Sequence, residues 1–258
     1  MKITVLAENT SSSADIGCEH GLSLFVETGA HKILFDMGQT ALFAENAAKL
    51  GVRLKEADIA VLSHGHYDHG GGLRRFLELN KTAPVYLSRY AFEPHYNGTE
   101  KYIGLAPDLR GSDRLRFTDG QTDIADGITL YSCNDRPRLH DCGSANLNRM
   151  ENGVLLPEDF RHEQYLLIEE NGRRVLFSAC SHKGILNITE WFRPDVLVGG
   201  CHLMKYPCGD ALRDIARQLD RYPTDFYTCH CTGAEQFAFM KQHMRRLHYC
   251  ACGSSFRV

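Results

Sequence analysis

The segment SHGHYDHGGG, residues 63–72, concentrates side chains that bind metal ions, namely His64, His66, Asp68 and His69. ADIAVLS before it predicts a buried strand, and GGLRRFLELN after it has apolar residues at helical spacing, which indicates a strand-to-helix loop. Imidazoles combined with a carboxylate suit zinc, iron or manganese. His64 and His66 can share one ion, while Asp68 and His69 can face a second. The alternative, a solvated polar loop, does not account for four ligand-type residues at this spacing.

The elements that must position this loop occur twice along the chain. In the first half, a strand at 2–9, a hairpin turning at 28–31, the helix ALFAENAAKLGV and the strand ADIAVLS lead to the loop. In the second half, a hairpin turning at Asn171-Gly172 is followed by the helix GILNITEWF and the strand PDVLVGGCHL. Then come the helix GDALRDIARQL with Asp210 as N-cap, the strand TDFYTCHCTG, the helix AEQFAFMKQHMRRL and a closing strand over HYCACGSSFRV. The duplication predicts two similar halves packed face to face, with helices outside and strand ends meeting at one edge.

The metal loop resembles the HxHxDH signature of the metallo-β-lactamase superfamily, and the match is complete. The resemblance implies an α/β fold, a four-layer αββα sandwich forming a single domain over residues 1–258. It places one or two metal ions in the cleft at the edge of the two sheets. It also implies that Asp36 supports the metal loop and that His230 is the last metal-binding histidine. Asp36 is also compatible with a helix N-cap.

Two more histidines lie at or just past predicted strand ends, His182 and His202, and they join His230 in the predicted ligand set. One histidine at such a position is commonly structural, but three around one cleft favour metal ligation. The remaining loop and helix-surface histidines are interpreted as structural: His20, His31, His140, His243 and His248.

The chain departs from the superfamily pattern at two positions. Cys180 stands where most members have an Asp that bridges two metals; a thiolate can bind zinc, and a buried reduced thiol fits equally well. His162 and Glu163 stand where most members have a His before the second hairpin. Counting back from the predicted turn, Glu163 lies opposite Cys180 and His162 opposite Ser181, so either one could reach the site of His182.

Other segments narrow the resemblance to one branch of the superfamily. EHGLS, LFDMGQ, EQYLL, SACSHKGILNI, VGGCHL and HCTG resemble the branch that contains the archaeal dihydropterin-ribofuranosyl-aminobenzene-phosphate synthase. The resemblance implies a metal-dependent hydrolase whose metal-activated water attacks a phosphoryl or carbonyl centre of a small molecule, here a phosphorylated heterocycle related to pterin metabolism. Asp68 would be both a metal ligand and the catalytic proton acceptor. One or two zinc ions are expected, with manganese or iron as alternatives; an iron-dependent oxidoreductase and a non-catalytic metal sensor are the alternative functions.

Residues 89–162 do not fit the repeat and predict a lid or pocket wall, or else a solvated insertion. They contain many cationic and aromatic side chains, which predict recognition of a phosphate and a planar ring if the segment faces the substrate. The residues concerned are Arg89, Lys101, Arg110, Arg114, Arg116, Arg136 and Arg138, with Tyr90, Phe92, Tyr96 and Tyr102.

Composition excludes several classes of protein. A net charge of −3 and the lack of a basic patch argue against a nucleic-acid partner. No apolar run reaches about 18 residues, which argues against a membrane span. The opening MKITVLAEN has no apolar signal core, so we expect a cytoplasmic protein whose ten cysteines are reduced, with the C-x-C pairs at 229–231 and 250–252 in the core. A homo-oligomer is compatible with the sequence.

Overall fold

Two large mixed sheets form the framework of the protein, and a computed structural model describes all residues from 1 to 258. The strands are β1 (Lys2–Ala7), β2 (Ser23–Glu27), β3 (Lys32–Phe35), β4 (Ile59–Val61), β5 (Val85–Ser88), β6 (His95–Asn97), β7 (Lys101–Tyr102), β8 (Leu115–Thr118), β9 (Gln121–Ala125), β10 (Ile128–Tyr131), β11 (Leu147–Glu151), β12 (Val154–Pro157), β13 (Tyr165–Glu170), β14 (Arg173–Phe177), β15 (Val196–Gly199), β16 (Asp225–Thr228), β17 (Leu247–Tyr249) and β18 (Ser255–Arg257). The helices are α1 (Leu42–Lys49), α2 (Tyr67–Gly70), α3 (Leu73–Leu79), α4 (Ile185–Phe192), α5 (Asp210–Leu219) and α6 (Ala234–Lys241).

The two large sheets repeat one topology. Their strand orders are β18-β1-β2-β3-β4-β5-β8 and β17-β16-β15-β14-β13-β10-β9. In each sheet an antiparallel hairpin continues into parallel strands, from β2–β3 into β4 and β5, and from β13–β14 into β15 and β16. Parallel neighbours require crossover connections, which α1 and α4 supply at equivalent places. The predicted duplication and the αββα order are therefore confirmed.

Turn chemistry predicts the second hairpin correctly but misplaces one helix cap. Asn171 and Gly172 both have positive φ, 53° and 75°, as a two-residue hairpin turn with this sequence requires. Glu170 pairs with Arg173 across the turn, which is the predicted register. Asp210 is not the N-cap of α5, because Gly209 holds that position and the Asp210 carboxylate accepts a hydrogen bond from the Arg213 guanidinium instead.

The last segment is not one closing strand, so that prediction is wrong. β17 pairs in parallel with β16 in the second sheet, whereas β18 pairs antiparallel with β1 in the first. Between them the chain crosses the sandwich, where Gly253 has a φ of 82° and donates to Val5 O. The terminal residues therefore join the two sheets, and no local pattern reveals this because each strand is only three residues long.

Residues 89–162 do not form one uniform insertion. β8 extends the first large sheet beside β5, and β9 and β10 extend the second beside β13. Only β6, β7, β11 and β12 stand apart, as a four-stranded sheet in the order β12-β11-β6-β7. The sequence does not predict the short strands β8, β9 and β10, because strands of four or five residues are set by pairing with their neighbours more than by local pattern.

The buried apolar residues form three main clusters, one between the sheets and one on the outer face of each sheet. Twenty buried residues lie between the two large sheets, where the rings of Phe35 and Phe177 meet with centroids 5.5 Å apart. One further cluster packs α1 and α3 on the first sheet, and another packs α4, α5 and α6 on the second. None of the helices combines the length and the apolar character needed to cross a membrane.

The packing between the sheets predicts the effect of truncating Phe177. Phe177→Ala should lower the free energy of unfolding by about 3–5 kcal/mol. The substitution leaves a cavity between the two sheets, and the sheets cannot move together to fill it. Urea unfolding followed by circular dichroism measures the loss. Phe117→Ala is the matched control, since Phe117 is 46% exposed. Equal losses for the two variants would contradict the assignment of the inter-sheet core.

Candidate metal centre

Four strand ends at one edge of the sandwich share an uncommon backbone conformation. Asp36, Ser181, His202 and His230 follow β3, β14, β15 and β16, and their φ angles are 57°, 56°, 52° and 49°. The left-handed region is costly for residues with a Cβ, and such strain concentrates at functional sites. The repeated turn at this edge therefore marks it as the candidate site.

Asp36 holds the metal loop and sets the tautomers of its histidines. Its Oδ1 accepts the Ser63 N–H at 2.7 Å, and its Oδ2 lies 2.7 Å from both Ser63 Oγ and His69 Nδ1. A carboxylate only accepts, so the Ser63 hydroxyl and His69 Nδ1 donate. Because the single hydroxyl hydrogen of Ser63 is used, Ser63 Oγ must accept from His64 Nδ1 at 2.8 Å. His64 and His69 therefore present the lone pairs of Nε2 to the cleft.

Asp36 is not a helix N-cap, because α1 begins after Ala41 and no side chain caps it. The glycines of the loop let its helical turn pack closely on the residues that follow Asp36. A Cβ on Gly71 would fall 2.0 Å from Gln39 O, and one on Gly72 would fall 2.2 Å from Met37 O. The loop and the end of β3 therefore form one packed unit.

His230 is oriented in the same way from a different strand. Its Nδ1 donates to Asn9 Oδ1 at 2.8 Å, and its backbone N–H donates to Glu8 Oε1 at 2.6 Å. Its Nε2 therefore also presents a lone pair, and this atom lies 3.2 Å from His69 Nε2. Two facing lone pairs at this distance repel each other unless a cation lies between them. The arrangement fits a metal ion, since zinc–nitrogen bonds of about 2.0–2.1 Å in a tetrahedron place ligand nitrogens about 3.3 Å apart.

The predicted ligands separate into two clusters. In the first cluster, His64, His66 and His182 have ligand atoms within 4.8 Å of one another, and the Nε2 atoms of His64 and His182 are 3.3 Å apart. In the second cluster, Asp68 Oδ2 lies 3.7 Å from His69 Nε2 and 3.5 Å from His230 Nε2. The second cluster is thus Asp68, His69 and His230.

Two buried nitrogens at the first cluster lack any hydrogen-bond partner in the protein, His66 Nε2 and His182 Nδ1. An unpaired buried polar atom is costly, and natural proteins tolerate few of them. Burial, followed by the other histidines, lowers the pKa of His64, His66 and His182 well below the usual range. These imidazoles are therefore neutral at pH 7, the form that binds metals.

Asp68 supplies negative charge to the second cluster. Burial by itself would raise the pKa of its carboxyl, but His69 and hydrogen bonds from His20 and His230 hold that pKa well below the usual range. His69 shows the reciprocal effect: burial opposes protonation, yet Asp68 and Asp36 raise its pKa. The second cluster therefore attracts a proton or a metal cation.

Cys180 lies at the second cluster, and the cysteines of the two C-x-C pairs lie in different places. Cys180 Sγ lies 3.2 Å from His69 Nε2. Burial and the neighbouring Cys231 raise the pKa of Cys180 well above its usual range, so the thiol ionises only beside a cation. Cys229 and Cys250 lie in the inter-sheet core, whereas Cys231 lines the metal pocket. All ten cysteines are free thiols.

His202 lies beside the clusters rather than within either one. Its ring centroid is 4.4 Å from that of His182, but its nitrogens belong to no group of converging ligand atoms. Burial lowers the pKa of His202 to about 4, so the ring is neutral at pH 7. Its backbone N–H donates to Cys231 Sγ, and both residues line the pocket that opens over the clusters.

His162 and Glu163 differ in what they contact. Glu163 accepts the backbone N–H groups of His182 and Lys183 at 2.7 and 3.0 Å, so it anchors the turn that carries His182. His162 Nδ1 accepts the Gly65 N–H at 2.9 Å, so in the neutral ring the hydrogen is on Nε2. Glu163 therefore supports a ligand-bearing turn, whereas His162 bonds the metal loop and also has a ligand atom within 4.8 Å of those of His66, His95 and Glu158.

The sequence analysis does not place three residues at the site, namely His20, His95 and Glu158. His20 is exposed, as expected for a loop, yet its Nε2 lies 3.3 Å from Asp68 Oδ2. The segment EHGLS, which supports the branch resemblance, was the available signal. His95 donates from Nδ1 to Glu158 Oε2 at 2.8 Å, and its ring packs 3.9 Å from that of His162. No local signal marks this pair, because the small sheet brings its two members together.

A pocket of about 230 Å³ opens over both clusters. The small sheet contributes Asn97, Lys101 and Leu147 to its wall, and Lys205 contributes a second cation. Neither lysine has a carboxylate within ion-pair distance, and the Lys101 ammonium lies 5.7 Å from the centre of the Tyr67 ring.

The arginines of residues 89–162 do not line this pocket. Arg89 pairs with Asp119 at 2.9 Å, Arg136 donates to Trp191 O and Arg138 donates to Asp159 O. Arg110 lies beside Arg89 at a separate shallow cleft. The cations that face the candidate site are therefore Lys101 and Lys205.

A four-layer αββα sandwich with clustered histidine, aspartate and cysteine ligands at the strand ends defines a class of metal-binding protein. The chain belongs to the metallo-β-lactamase superfamily, whose family model matches residues 16–183. The expected family and fold are confirmed.

Particular relatives resemble nearly the whole chain. The 7,8-dihydropterin-6-methyl-4-(β-D-ribofuranosyl)-aminobenzene-5′-phosphate synthase of Methanocaldococcus jannaschii is 27% identical over 96% of this chain and 94% of its own length. An uncharacterized protein of the same organism is 26% identical over 93% of this chain and 94% of its own length. The crystal structure of a metal-dependent hydrolase of the β-lactamase superfamily is 29% identical and superposes with a TM-score of 0.85, covering 100% of this chain and 99% of the other.

The role of Asp36 predicts a loss of metal affinity in Asp36→Asn. The amide replaces one carboxylate oxygen with an NH2 donor, so at least one of the three hydrogen bonds that Asp36 accepts from Ser63 and His69 is lost, and we expect metal affinity to fall about 10- to 100-fold. Competition with a chromophoric chelator measures the affinity. Asp58→Asn is the matched control, since Asp58 bonds His31 at the surface. Equal affinity in the two variants would show that Asp36 does not orient the ligands.

Proposed function

We propose that the protein is a metal-dependent hydrolase that binds one or two ions through the first and second clusters, with Cys180 completing the second. The observation that carries this proposal is the pair of lone-pair nitrogens of His69 and His230, 3.2 Å apart and oriented by Asp36 and Asn9. A bound ion of the zinc, manganese or iron type supplies Lewis acidity and lowers the pKa of coordinated water. His202 then faces the substrate rather than the metal.

Asp68 is the proposed catalytic proton acceptor as well as a ligand. Its carboxylate is ionised at neutral pH and faces the cleft. Oδ2 accepts a hydrogen bond from His20 Nε2 at 3.3 Å, and because His20 is exposed, its ring links this carboxylate to the solvent.

The proposed substrate is a small anionic molecule. Lys101 and Lys205 supply two cations at the mouth of a pocket whose floor contains neutral histidines. The similar synthase has a pterin, a benzene ring and a phosphate in its name, so a phosphorylated heterocycle is the first substrate class to test. In this proposal the small sheet serves as the pocket wall and the protein acts in the cytoplasm.

The first test combines metal content with activity. His64→Ala with His66→Ala should remove at least one ion per chain and abolish turnover, because the first cluster loses two of its three ligands. Elemental analysis after anaerobic purification identifies and counts the ions, and also separates an iron oxidoreductase from a zinc hydrolase.

The matched control for this test replaces two histidines distant from the clusters, His31 and His243, with alanine. It should keep both metal and activity. Full metal content in His64→Ala/His66→Ala, with native circular dichroism, would refute the ligand assignment. Product analysis with phosphorylated pterin compounds distinguishes hydrolysis from the bond-forming reaction of a synthase.

The lysines predict how charge controls substrate affinity. Lys101→Ala with Lys205→Ala should raise KM for bis(4-nitrophenyl) phosphate at least about tenfold, since bonds from charged donors to an anion are lost. KM for neutral 4-nitrophenyl acetate should stay within about twofold. Arg110→Ala is the control that removes a cation away from the pocket. Equal changes in KM for both substrates would show that the lysines do not recognise the negative charge of the substrate.

A further inference from the structure

A second, mostly apolar pocket of about 120 Å³ opens beside the metal pocket, and we call it the side pocket. Its apolar lining includes Phe160, Ile185, Leu186, Leu203, Tyr206 and Ile215. None of these residues takes part in metal binding or proton transfer as proposed above. The side pocket therefore has no role in the chemistry so far described.

The side pocket and the metal pocket share one wall. Both are lined by Ala145, His182, His202, Met204 and Lys205. His202 packs against His182 at 4.4 Å and stands between the two spaces. A molecule whose reacting group lies at the clusters can therefore extend past His202 into the side pocket.

One ligand of the first cluster forms part of this wall. The Phe160 ring stacks on His182 with centroids 4.6 Å apart and planes 7° apart. Phe160 is buried, and its backbone N–H donates to Glu158 at 3.1 Å, so the ring is held in place. The stack brings an apolar aromatic surface directly beside the first cluster.

The size of the side pocket limits what it can hold. A cavity of about 150 Å³ lined by apolar side chains takes one benzene molecule. At about 120 Å³, the side pocket accommodates a single six-membered ring. Lys205 at its edge places a positive charge next to the ring.

We infer that the substrate carries a single aromatic ring directly attached to, or one atom away from, its anionic reacting group, and that the ring binds in the side pocket. The inference rests on the proposed function for the identity of the reacting group. The two pockets share His182, His202 and Lys205, so the ring and the anion would occupy adjoining spaces, which is why the inferred spacing between them is short.

Binding of two phosphonates tests the inference without requiring turnover. Phenylphosphonate should bind the zinc-loaded protein about tenfold or more tightly than methylphosphonate, because the ring leaves water. Isothermal titration calorimetry measures both, and the same preference is expected without zinc because the apolar residues that surround the ring take no part in metal binding. Equal affinities would overturn the inference.

Two substitutions at Leu186 move the preference in opposite directions. Leu186 is partly buried on α4 and lines the side pocket, so the size of its side chain changes the space available there. Leu186→Trp should fill the side pocket and abolish the preference for phenyl over methyl, and Leu186→Ala should allow 1-naphthylphosphonate to bind at least as tightly as phenylphosphonate. Leu79→Trp on α3 is the control, since Leu79 is 36% exposed in the other half.

An unchanged phenyl preference in Leu186→Trp would place the ring elsewhere and overturn the inference. Failure of this inference and failure of the proposed function give different results. If phenyl and methyl phosphonates bind equally while the protein binds zinc and hydrolyses esters, only the inference fails. If the phenyl preference holds but no metal binds and no ester is cleaved, the proposed function fails and the ring pocket stands.

Discussion

The buried carboxylate of Asp36 is the constraint on which the metal centre depends. It lies at the end of β3, is fully buried, and accepts hydrogen bonds from the Ser63 backbone, the Ser63 hydroxyl and His69. Removing a carboxylate from water is costly, and three donors in fixed positions offset that cost. Because the donors are fixed, the tautomers of His64 and His69 are fixed as well, and their Nε2 lone pairs point into one space.

Buried carboxylates that accept hydrogen bonds also support two other ligand-bearing turns. Glu163 accepts the backbone N–H of His182, and Glu8 accepts the backbone N–H of His230 and the hydroxyl of Tyr249. Each buried carboxylate thus holds one strained strand end of the sandwich in place. Rigid support of this kind holds several histidines close together in fixed orientations, as a metal site requires.

The side chains that line the pocket over the metal centre determine which substrate a protein of this fold binds. The αββα framework is common to proteins of many activities, so function depends on the side chains around the metals. In this protein the small sheet supplies Lys101 and Leu147, and α4 supplies Ile185 and Leu186. The cationic metal pocket and the apolar side pocket can therefore bind the polar and the apolar parts of one ligand.

The sequence by itself determined the metal loop, the two hairpins and the duplicated sandwich, because periodicity and turn residues such as Asn171-Gly172 act locally. Tertiary structure alone decided that His20 reaches Asp68, that His95 meets Glu158 and that the terminal segment joins both sheets. It also decided that lysines rather than arginines face the pocket. These contacts join residues tens of positions apart, and no local pattern encodes where a side chain lies once strands from distant parts of the chain have paired.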